Sequence, residues 1–264
     1  MSACYGRRMD NGDIARRLFD LLWTRYAAQV PPARTFVELS GGVFENDHVA
    51  FRSLRRPGSG IALFAPLFER LGFRRAGAYD FPDAKLSAIH LSHPRGLPRV
   101  FISELRQEEL TARAREILAR LPPDVPPPKA SASVDELAGW FAAPGIAPPE
   151  DELLELERET QYGAWLLLFG REVNHFTASV GDVEAWASRL HKAGVPMKGE
   201  IEGEPGAGLR QTATRAALRT VRVQGGQGGA REWPYAYLEL AERHGGFDGF
   251  VTNQARQLFE MTRR

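Results

Sequence analysis

The sequence predicts an α+β protein in which two pseudo-repeated β-α-β-β(-β) half-barrels form one curved sheet and a shared cleft. Segments with the alternating pattern of strands recur in the same order in both halves of the 264 residues, and each half also contains a helical segment. Internal repetition indicates that one structural unit is used twice. We expect a single domain, residues 1–264, with an N-terminal helix, half-barrels at about 34–106 and 161–264, and a helical insertion at about 107–160.

Helix and strand signals alternate through the first half. Residues 13–30 and 61–71 have apolar side chains at helical spacing. Between these helices, strict alternation defines one face of a strand, which carries Phe44, His48, Ala50 and Arg52. Further strands are expected at 85–91 and 99–105. This order of strand, helix and strands is the first copy of the unit.

The second half repeats the order after the insertion, whose helical segments are interrupted by the proline-rich PPDVPPPK. We expect residues 162–180 to form a pair of strands, YGAWLLLFG and REVNHFTASV, and residues 182–193 to form a helix. Strands at 216–224 and 235–242 are joined by QGGQGGA, which lacks the Lys-Ser/Thr of a phosphate-binding loop and is expected to be a hairpin end. The last segment, 247–262, is expected to end in a short helix.

Composition and charge exclude several classes of protein. Lys and Arg number 34 against 33 Asp and Glu, so the net charge of +1 gives no attraction to nucleic acid or anionic membranes. The single cysteine, Cys4, cannot form an intramolecular disulfide, as expected in a reducing compartment. The N-terminus has no apolar signal region, and no apolar stretch reaches the roughly 20 residues of a membrane helix. We expect a cytoplasmic protein with no nucleic-acid or membrane partner.

The repeat brings two histidines and a carboxylate into correspondence. Aligning E-N-D-H-V-A-F with E-V-N-H-F-T-A places His48 on His175 and, near the end of each half, Glu104 on Glu239. A lone histidine in a half-buried strand is more often a hydrogen-bonded core residue than a ligand, but two at equivalent points favour a shared site. Two imidazoles and the Glu239 carboxylate form a facial triad, which leaves three positions of an octahedral ferrous ion open for substrate and dioxygen.

Several segments together resemble a known enzyme family. The matching residues are NDHVAFRS at 46–53, LGFRRAGAYD at 71–80, FISELR at 101–106, VNHFT at 173–177, YLEL at 237–240 and GFVTNQA at 249–255. In order and spacing they resemble the 2-oxoadipate dioxygenase/decarboxylase family, formerly a domain of unknown function and related to the vicinal-oxygen-chelate superfamily. The resemblance spans most of the chain and implies a vicinal-oxygen-chelate-like sheet around the cleft.

The resemblance also implies an activity and the residues that carry it. The family's Fe(2+) ligands fall on His48, His175 and Glu239, and its catalytic, substrate-binding arginine falls on Arg52. Its C-terminal substrate contacts fall near two residues, Asn253 and Gln254. By resemblance the chain is a non-haem Fe(II)-dependent dioxygenase whose partners are a small 2-oxo acid and O2. The resemblance implies that it converts 2-oxoadipate to 2-hydroxyglutarate with release of CO2 in lysine breakdown.

Arg52 is compatible with two roles. On a strand it shares the face of His48, so its guanidinium can bind the distal carboxylate of a diacid held at the metal. An arginine at this place also fits a surface ion pair with a nearby carboxylate.

Two other functions remain open. With Glu104 as a fourth ligand the site suits a metal-dependent isomerase or lyase of the glyoxalase kind. Otherwise Glu104 is expected to form a salt bridge to an arginine such as Arg99 or Arg106. A metal-free small-molecule binding protein of the same fold is the second alternative. The sequence leaves the oligomeric state open.

The remaining candidates are expected to take no part in the site. His90 and His93 are expected to cap a strand end or face solvent, and His191 and His244 are expected at the surface. Cys4 has no partner base nearby in the sequence.

Overall fold

Helices and strands alternate along the chain in two similar blocks. The computed structural model describes residues 9–143, 145–225 and 228–250. The helices are α1 (Asn11–Gln29), α2 (Pro31–Leu39), α3 (Ile61–Arg70), α4 (Ala112–Leu118), α5 (Val134–Phe141), α6 (Glu150–Glu159), α7 (Gln161–Phe169) and α8 (Val183–Lys192). The strands are β1 (Asn46–Leu54), β2 (Arg74–Phe81), β3 (Leu86–Ser92), β4 (Arg99–Leu105), β5 (Val173–Ser179), β6 (Leu209–Ala213), β7 (Ala217–Arg222) and β8 (Ala230–Arg243).

In the described residues, eight strands form one sheet whose two halves are related by an approximate two-fold axis. Its order is β2-β3-β4-β1-β5-β8-β6, and β7 pairs with β8. β1 and β5 meet antiparallel at the centre, and each pairs in parallel with a later strand of its own half, β4 or β8. The central register is symmetric, because His48 lies opposite Thr177 and Ala50 lies opposite His175. The predicted fold class is confirmed.

Local signals set the ends of several helices around the sheet. Asp10 and Asp182 cap α1 and α8, each accepting a hydrogen bond from a backbone N–H of the first turn at 2.9 Å. The prolines at 31 and 32 end α1 as predicted, but Pro31 also begins α2. A proline at the first helical position lacks only an N–H that has no partner within the helix. The chain therefore turns into a second helix where the sequence showed only a short apolar run.

The predicted strand at 162–170 is wrong, because this segment forms α7. Thr160 begins the helix by accepting a hydrogen bond from the backbone N–H of Gly163 at 3.1 Å. Every residue from 162 to 169 is buried. A segment buried on all sides shows no polar stripe, so its pattern does not distinguish a helix from a buried strand.

The other predicted elements are present within a few residues of their expected bounds, including the helices of the insertion and the β7–β8 hairpin. Two strands carried no clear sequence signal. β2 exposes most of its side chains, and β6 is only five residues long. The helix predicted at the end of 247–262 lies outside the described residues, which stop at 250.

An aromatic cluster joins the insertion to the first half-barrel. The ring of Phe51 on β1 lies 4.8 Å from that of Phe141 on α5 and 5.7 Å from that of Phe68 on α3, measured between centroids. All three rings are buried, and packing of this kind contributes both apolar area and specific ring contacts. The insertion thus completes the core on one side of β1.

No helix in the described part of the chain is long and apolar enough to cross a bilayer.

Candidate metal centre

Three buried side chains from β1, β5 and β8 meet in the cleft. His48 Nε2 lies 3.4 Å from Glu239 Oε1, and His175 Nε2 lies 3.8 Å from Glu239 Oε2. One ligand atom from each residue lies within 4.8 Å of the others. The exposed fractions of His48, His175 and Glu239 are 2%, 8% and 1%. The structure therefore brings the three predicted ligands together around one point.

The far side of each imidazole is held by the residue that precedes it. His48 Nδ1 lies 2.8 Å from Asp47 Oδ1, and His175 Nδ1 lies 3.0 Å from Asn174 Oδ1. Both partners are oxygen acceptors, so each Nδ1 carries the proton and donates it. Each Nε2 then presents its lone pair to the cleft, which is the tautomer that a metal requires.

Asp47 is itself a buried carboxylate surrounded by cations. Arg243 donates to its two oxygens at 2.6 and 3.0 Å, and Arg99 donates at 3.3 Å. Burial alone would raise the pKa of Asp47, but hydrogen bonds from His48 and Arg243 outweigh it and hold that pKa well below its ordinary value. Asp47 therefore stays ionised and fixes the orientation of His48.

The ionisation of the three side chains fits a cation. Burial lowers the pKa of His48 and holds that of His175 well below its ordinary value. Burial, with the negative charges of Glu202 and Asp47, raises the pKa of Glu239 to about 8. Glu239 Oε2 is buried and has no hydrogen-bond partner among the described residues. Two neutral imidazoles and this carboxyl group suit a divalent cation, which would replace the proton on Glu239.

Thr177 is a neighbour of the ligands that the sequence analysis missed. Its Oγ1 lies 3.0 Å from His48 Nε2 and donates to Glu239 Oε1 at 3.3 Å. The sequence did contain a signal for it, because Thr177 follows His175 by two residues and so shares its strand face. Its hydroxyl orients the Glu239 carboxyl group toward the histidines.

Arg52 lies at one end of the same cleft. It is 2% exposed, and its guanidinium carbon lies 4.8 Å from the ring centroid of Tyr162 and 5.3 Å from that of Trp165. Its Nη1 donates to Gln161 Oε1 at 3.4 Å. After burial, the positive charge of Arg52 is among the causes of the low pKa of His175. Arg52 is therefore a buried cation and does not lie at the surface, where the alternative ion pair considered for it was expected.

Aromatic side chains line much of the remaining cleft, and the lining includes Phe81, Phe101, Tyr237 and Phe250. The Phe250 ring centroid lies 4.8 Å from that of His48, so residues 247–250 cover one side of the site. Walls of this kind exclude water and accept the methylene chain of an organic acid.

Glu104 is not at the site, so the four-ligand centre considered for an isomerase is wrong. Glu104 accepts hydrogen bonds from Arg55 Nε and from the backbone N–H of Ile61, both at 2.8 Å. Glu242 likewise accepts from the backbone N–H of Val183, at 2.7 Å. Both carboxylates thus receive the first N–H of the helix that follows the first strand of their half, α3 or α8.

The sheet register explains the error in the repeat alignment. Glu104 corresponds to Glu242, three residues beyond the position to which the alignment assigned it. On β4, Phe101 lies opposite Ala50 as Glu239 lies opposite Thr177 on β8. Phe101, rather than Glu104, is therefore the counterpart of Glu239. The salt-bridge partner of Glu104 is Arg55 instead of the arginines predicted at 99 or 106.

The other histidines divide into two pairs. Both His90 and His93 are buried, at 2% and 9% exposure, so the prediction that they face solvent is wrong. His93 does cap the end of β3 as predicted, because its Nδ1 accepts a hydrogen bond from the backbone N–H of Arg95 at 3.1 Å. His90 Nδ1 is hydrogen-bonded to the hydroxyl of Tyr79 at 2.7 Å. The ring of His93 packs on that of Phe73, with 5.0 Å between the ring centroids. His191 and His244 are exposed, as predicted. Three further candidates lie outside the described residues, namely Cys4, Asn253 and Gln254.

The fold and the site define a class of protein: a vicinal-oxygen-chelate-like enzyme whose two half-barrels enclose a candidate metal centre of two histidines and one glutamate. The model of the family described as 2-oxoadipate dioxygenase/decarboxylase matches residues 24–263. The chain therefore belongs to the 2-oxoadipate dioxygenase/decarboxylase family.

Named relatives agree with this assignment. A chloroplastic 2-oxoadipate dioxygenase/decarboxylase of Arabidopsis thaliana is 27% identical over 258 residues, 86% of this chain and 67% of the plant protein. The crystal structure of a hydroxyglutarate synthase from Oryza sativa in complex with 2-oxoadipate has a TM-score of 0.82 at 24% identity, over 99% of this chain and 98% of that one. A glyoxalase superfamily protein from Ralstonia eutropha has a TM-score of 0.82 at 25% identity, over 96% and 90% of the two chains.

Proposed function

We propose that this chain uses a ferrous ion held by His48, His175 and Glu239 to convert 2-oxoadipate and dioxygen into 2-hydroxyglutarate and carbon dioxide. The observation that supports this most is the buried meeting point of those three side chains in a member of this family. The Oryza sativa structure of the same fold contains 2-oxoadipate. The atoms balance with one dioxygen consumed and one carbon dioxide released for each 2-oxoadipate.

The donor set favours ferrous iron. Two imidazole nitrogens and one carboxylate oxygen leave coordination positions open for substrate and dioxygen. When bound, ferrous iron supplies a Lewis acid for the 2-oxo group and redox chemistry for dioxygen. The protein's own part is to present both Nε2 atoms through Asp47 and Asn174, and partners of this kind are typically worth about 10–100-fold in metal affinity.

Arg52 would bind the distal carboxylate of the diacid. It follows His48 by four residues on β1, which corresponds to about 13 Å between Cα atoms along a strand. Both side chains line the same cleft, so a short diacid held at the metal can extend its far carboxylate toward the guanidinium. An arginine fork accepts a carboxylate through two parallel hydrogen bonds. A mono-acid of the same length offers no such contact, which favours 2-oxo diacids as the substrate class.

The direct test is anaerobic loading with iron, followed by an oxygen-electrode screen of 2-oxo diacids of different lengths. We expect oxygen uptake with 2-oxoadipate, 2-hydroxyglutarate as the product, and a one-to-one ratio of dioxygen to substrate. Metal binding with no oxygen uptake would contradict an oxygenase. A protein that binds small acids but takes up no iron would favour the metal-free binding protein instead.

Single substitutions separate the roles of the residues. His48→Ala should abolish both iron binding and oxygen uptake, since it removes one ligand from three. Arg52→Ala should keep the iron but weaken substrate binding by about 100-fold, because a buried charged contact is lost. His191→Ala, at an exposed position of α8, is the matched control and should behave as wild type. Full turnover by His48→Ala would sink the assignment.

A further inference from the structure

Gln211 places a hydrogen-bond acceptor in the cleft beside the candidate ligands. It lies on β6, is 1% exposed and lines the same cleft as Glu239. In the β6–β8 pairing, Ala213 lies opposite Glu239. Gln211 precedes Ala213 by two residues on β6, so its side chain lies on the same face of the sheet. Its Oε1 is buried and accepts no hydrogen bond from any residue that the structure describes. A buried carbonyl in this state favours a ligand that brings a donor.

The orientation of the amide follows from its other neighbour. Gln211 Nε2 donates to Glu202 Oε2 at 2.9 Å, and Glu202 is 3% exposed and paired with Lys198. Two backbone hydrogen bonds between Gln211 and Glu202, at 2.8 and 2.9 Å, hold the side chains side by side. A carboxylate paired with an ammonium group only accepts, so the NH2 end of the amide faces Glu202. The carbonyl end must therefore face the cleft.

We propose that Gln211 recognises a hydroxyl group on the organic acid bound in the cleft, by accepting a hydrogen bond from its O–H. This inference rests on the proposed function, in which the substrate is a 2-oxo acid and the product a 2-hydroxy acid. Ionised carboxylates and keto groups are acceptors and offer Gln211 nothing. The hydroxyl of the product is a donor, and the position of Gln211 beside Glu239 puts the contact at the metal end of the cleft, away from Arg52. Gln211 thus distinguishes the hydroxy acid from its deoxy analogue.

The test measures binding rather than turnover. Titration calorimetry is carried out anaerobically on the iron-loaded protein with 2-hydroxyglutarate and with glutarate, which differs only by the hydroxyl group. Gln211→Met keeps the length of the side chain and removes the carbonyl. We expect it to weaken binding of 2-hydroxyglutarate by about 10-fold and of glutarate by less than about 2-fold, the size of one hydrogen bond. Gln224→Met, at an exposed glutamine outside the cleft, is the matched control and should change neither affinity.

A second variant keeps the test decisive if Gln211→Met does not fold. In Glu202→Gln the amide introduced at position 202 can both donate and accept, so the Gln211 amide is free to reverse. The ratio of the affinities for 2-hydroxyglutarate and glutarate should then lie between the ratio of the wild type and that of Gln211→Met. Equal weakening of both acids by the variants, or no preference for 2-hydroxyglutarate in the wild type, would overturn the role of Gln211 alone. A wild-type protein that binds neither 2-oxoadipate nor 2-hydroxyglutarate would overturn the proposed function and this inference with it.

Discussion

The two half-barrels place equivalent histidines at the site and then differ where a second pair of ligands would stand. The symmetric register of β1 and β5 relates His48 to His175. In the second half, Glu239 completes the site, whereas its counterpart in the first half is Phe101, an aromatic wall of the cleft. Two histidines and two carboxylates would fill four positions around an ion. Replacing one carboxylate by an apolar ring would leave one more position for substrate or dioxygen.

The halves differ a second time at the distal end of the cleft. Arg52 on β1 follows His48 by four residues, and the residue four after His175 on β5 is Ser179, which is exposed. The first half therefore supplies the buried cation, and the second half supplies the ligand carboxylate. Under the proposed function, this symmetric scaffold would hold an asymmetric acid, with one end at the metal and the other at Arg52.

The largest effect is expected from a matched pair of glutamate substitutions. Glu239→Gln should remove iron and reduce oxygen uptake to background, because it converts a ligand into a neutral amide. Glu104→Gln should keep the iron and most of the activity, and should lower the free energy of unfolding by about 1–2 kcal/mol through weaker contacts with Arg55 and the start of α3. Metal analysis and urea unfolding measure the two effects. Loss of iron in Glu104→Gln would show that the register argument is wrong.

A smaller effect is expected when a carboxylate is introduced in the first half at Phe101, the position equivalent to Glu239. Phe101→Glu should still bind a divalent metal, but oxygen uptake should fall by about 100-fold, because the new carboxylate competes for a position that the substrate needs. Phe101→Leu is the control, since it removes the ring without adding a charge, and should retain most of the oxygen uptake. Equal activities of the two variants would contradict the equivalence of Phe101 and Glu239.

An effect on stability alone is expected as a pH dependence confined to the metal-free protein. The pKa of Glu239 is raised in the fold to about 8 from an ordinary 4.5. A raised pKa means that the protonated group stabilises the fold, fully below about pH 4.5 and progressively less as pH rises toward 8. The free energy of unfolding of the metal-free protein should therefore fall relative to Glu239→Gln, by at most about 1.4 kcal/mol per pH unit in that window. Urea unfolding across this range measures it, and a constant difference between the two proteins would be contrary to expectation.

Much of the site could be predicted because its ligands lie on strands with clear alternation inside a repeat. His48, His175 and Glu239 follow from that pattern together with the family resemblance, and the structure brings them together. The alignment failed at Glu104 because β8 carries two glutamates three residues apart, Glu239 and Glu242, and sequence alone does not decide which one matches. The pairing of β4 with β1, compared with that of β8 with β5, decides it.

The remaining errors have equally specific causes. The predicted strand at 162–170 failed because α7 is buried on every side and shows no periodicity. Gln211 was missed because β6 is short and its neighbour across the sheet comes from distant sequence. The burial of His90 depends on residues near 250, far from it along the chain. Contacts of this kind arise only when the two halves assemble.

Asp47 and Arg243 link the imidazole of His48 to residues 247–250, which cover one side of the cleft. The Asp47 carboxylate, which accepts a hydrogen bond from His48 Nδ1, also accepts two hydrogen bonds from Arg243. Arg243 Nη1 in turn donates to the carbonyl of Gly249 at 2.8 Å. Displacement of residues 247–250 from the cleft would break this last bond and would remove one contact that holds Arg243 against Asp47. The ligand field of a bound metal should therefore report, as a spectroscopic signal, whether residues 247–250 cover the cleft.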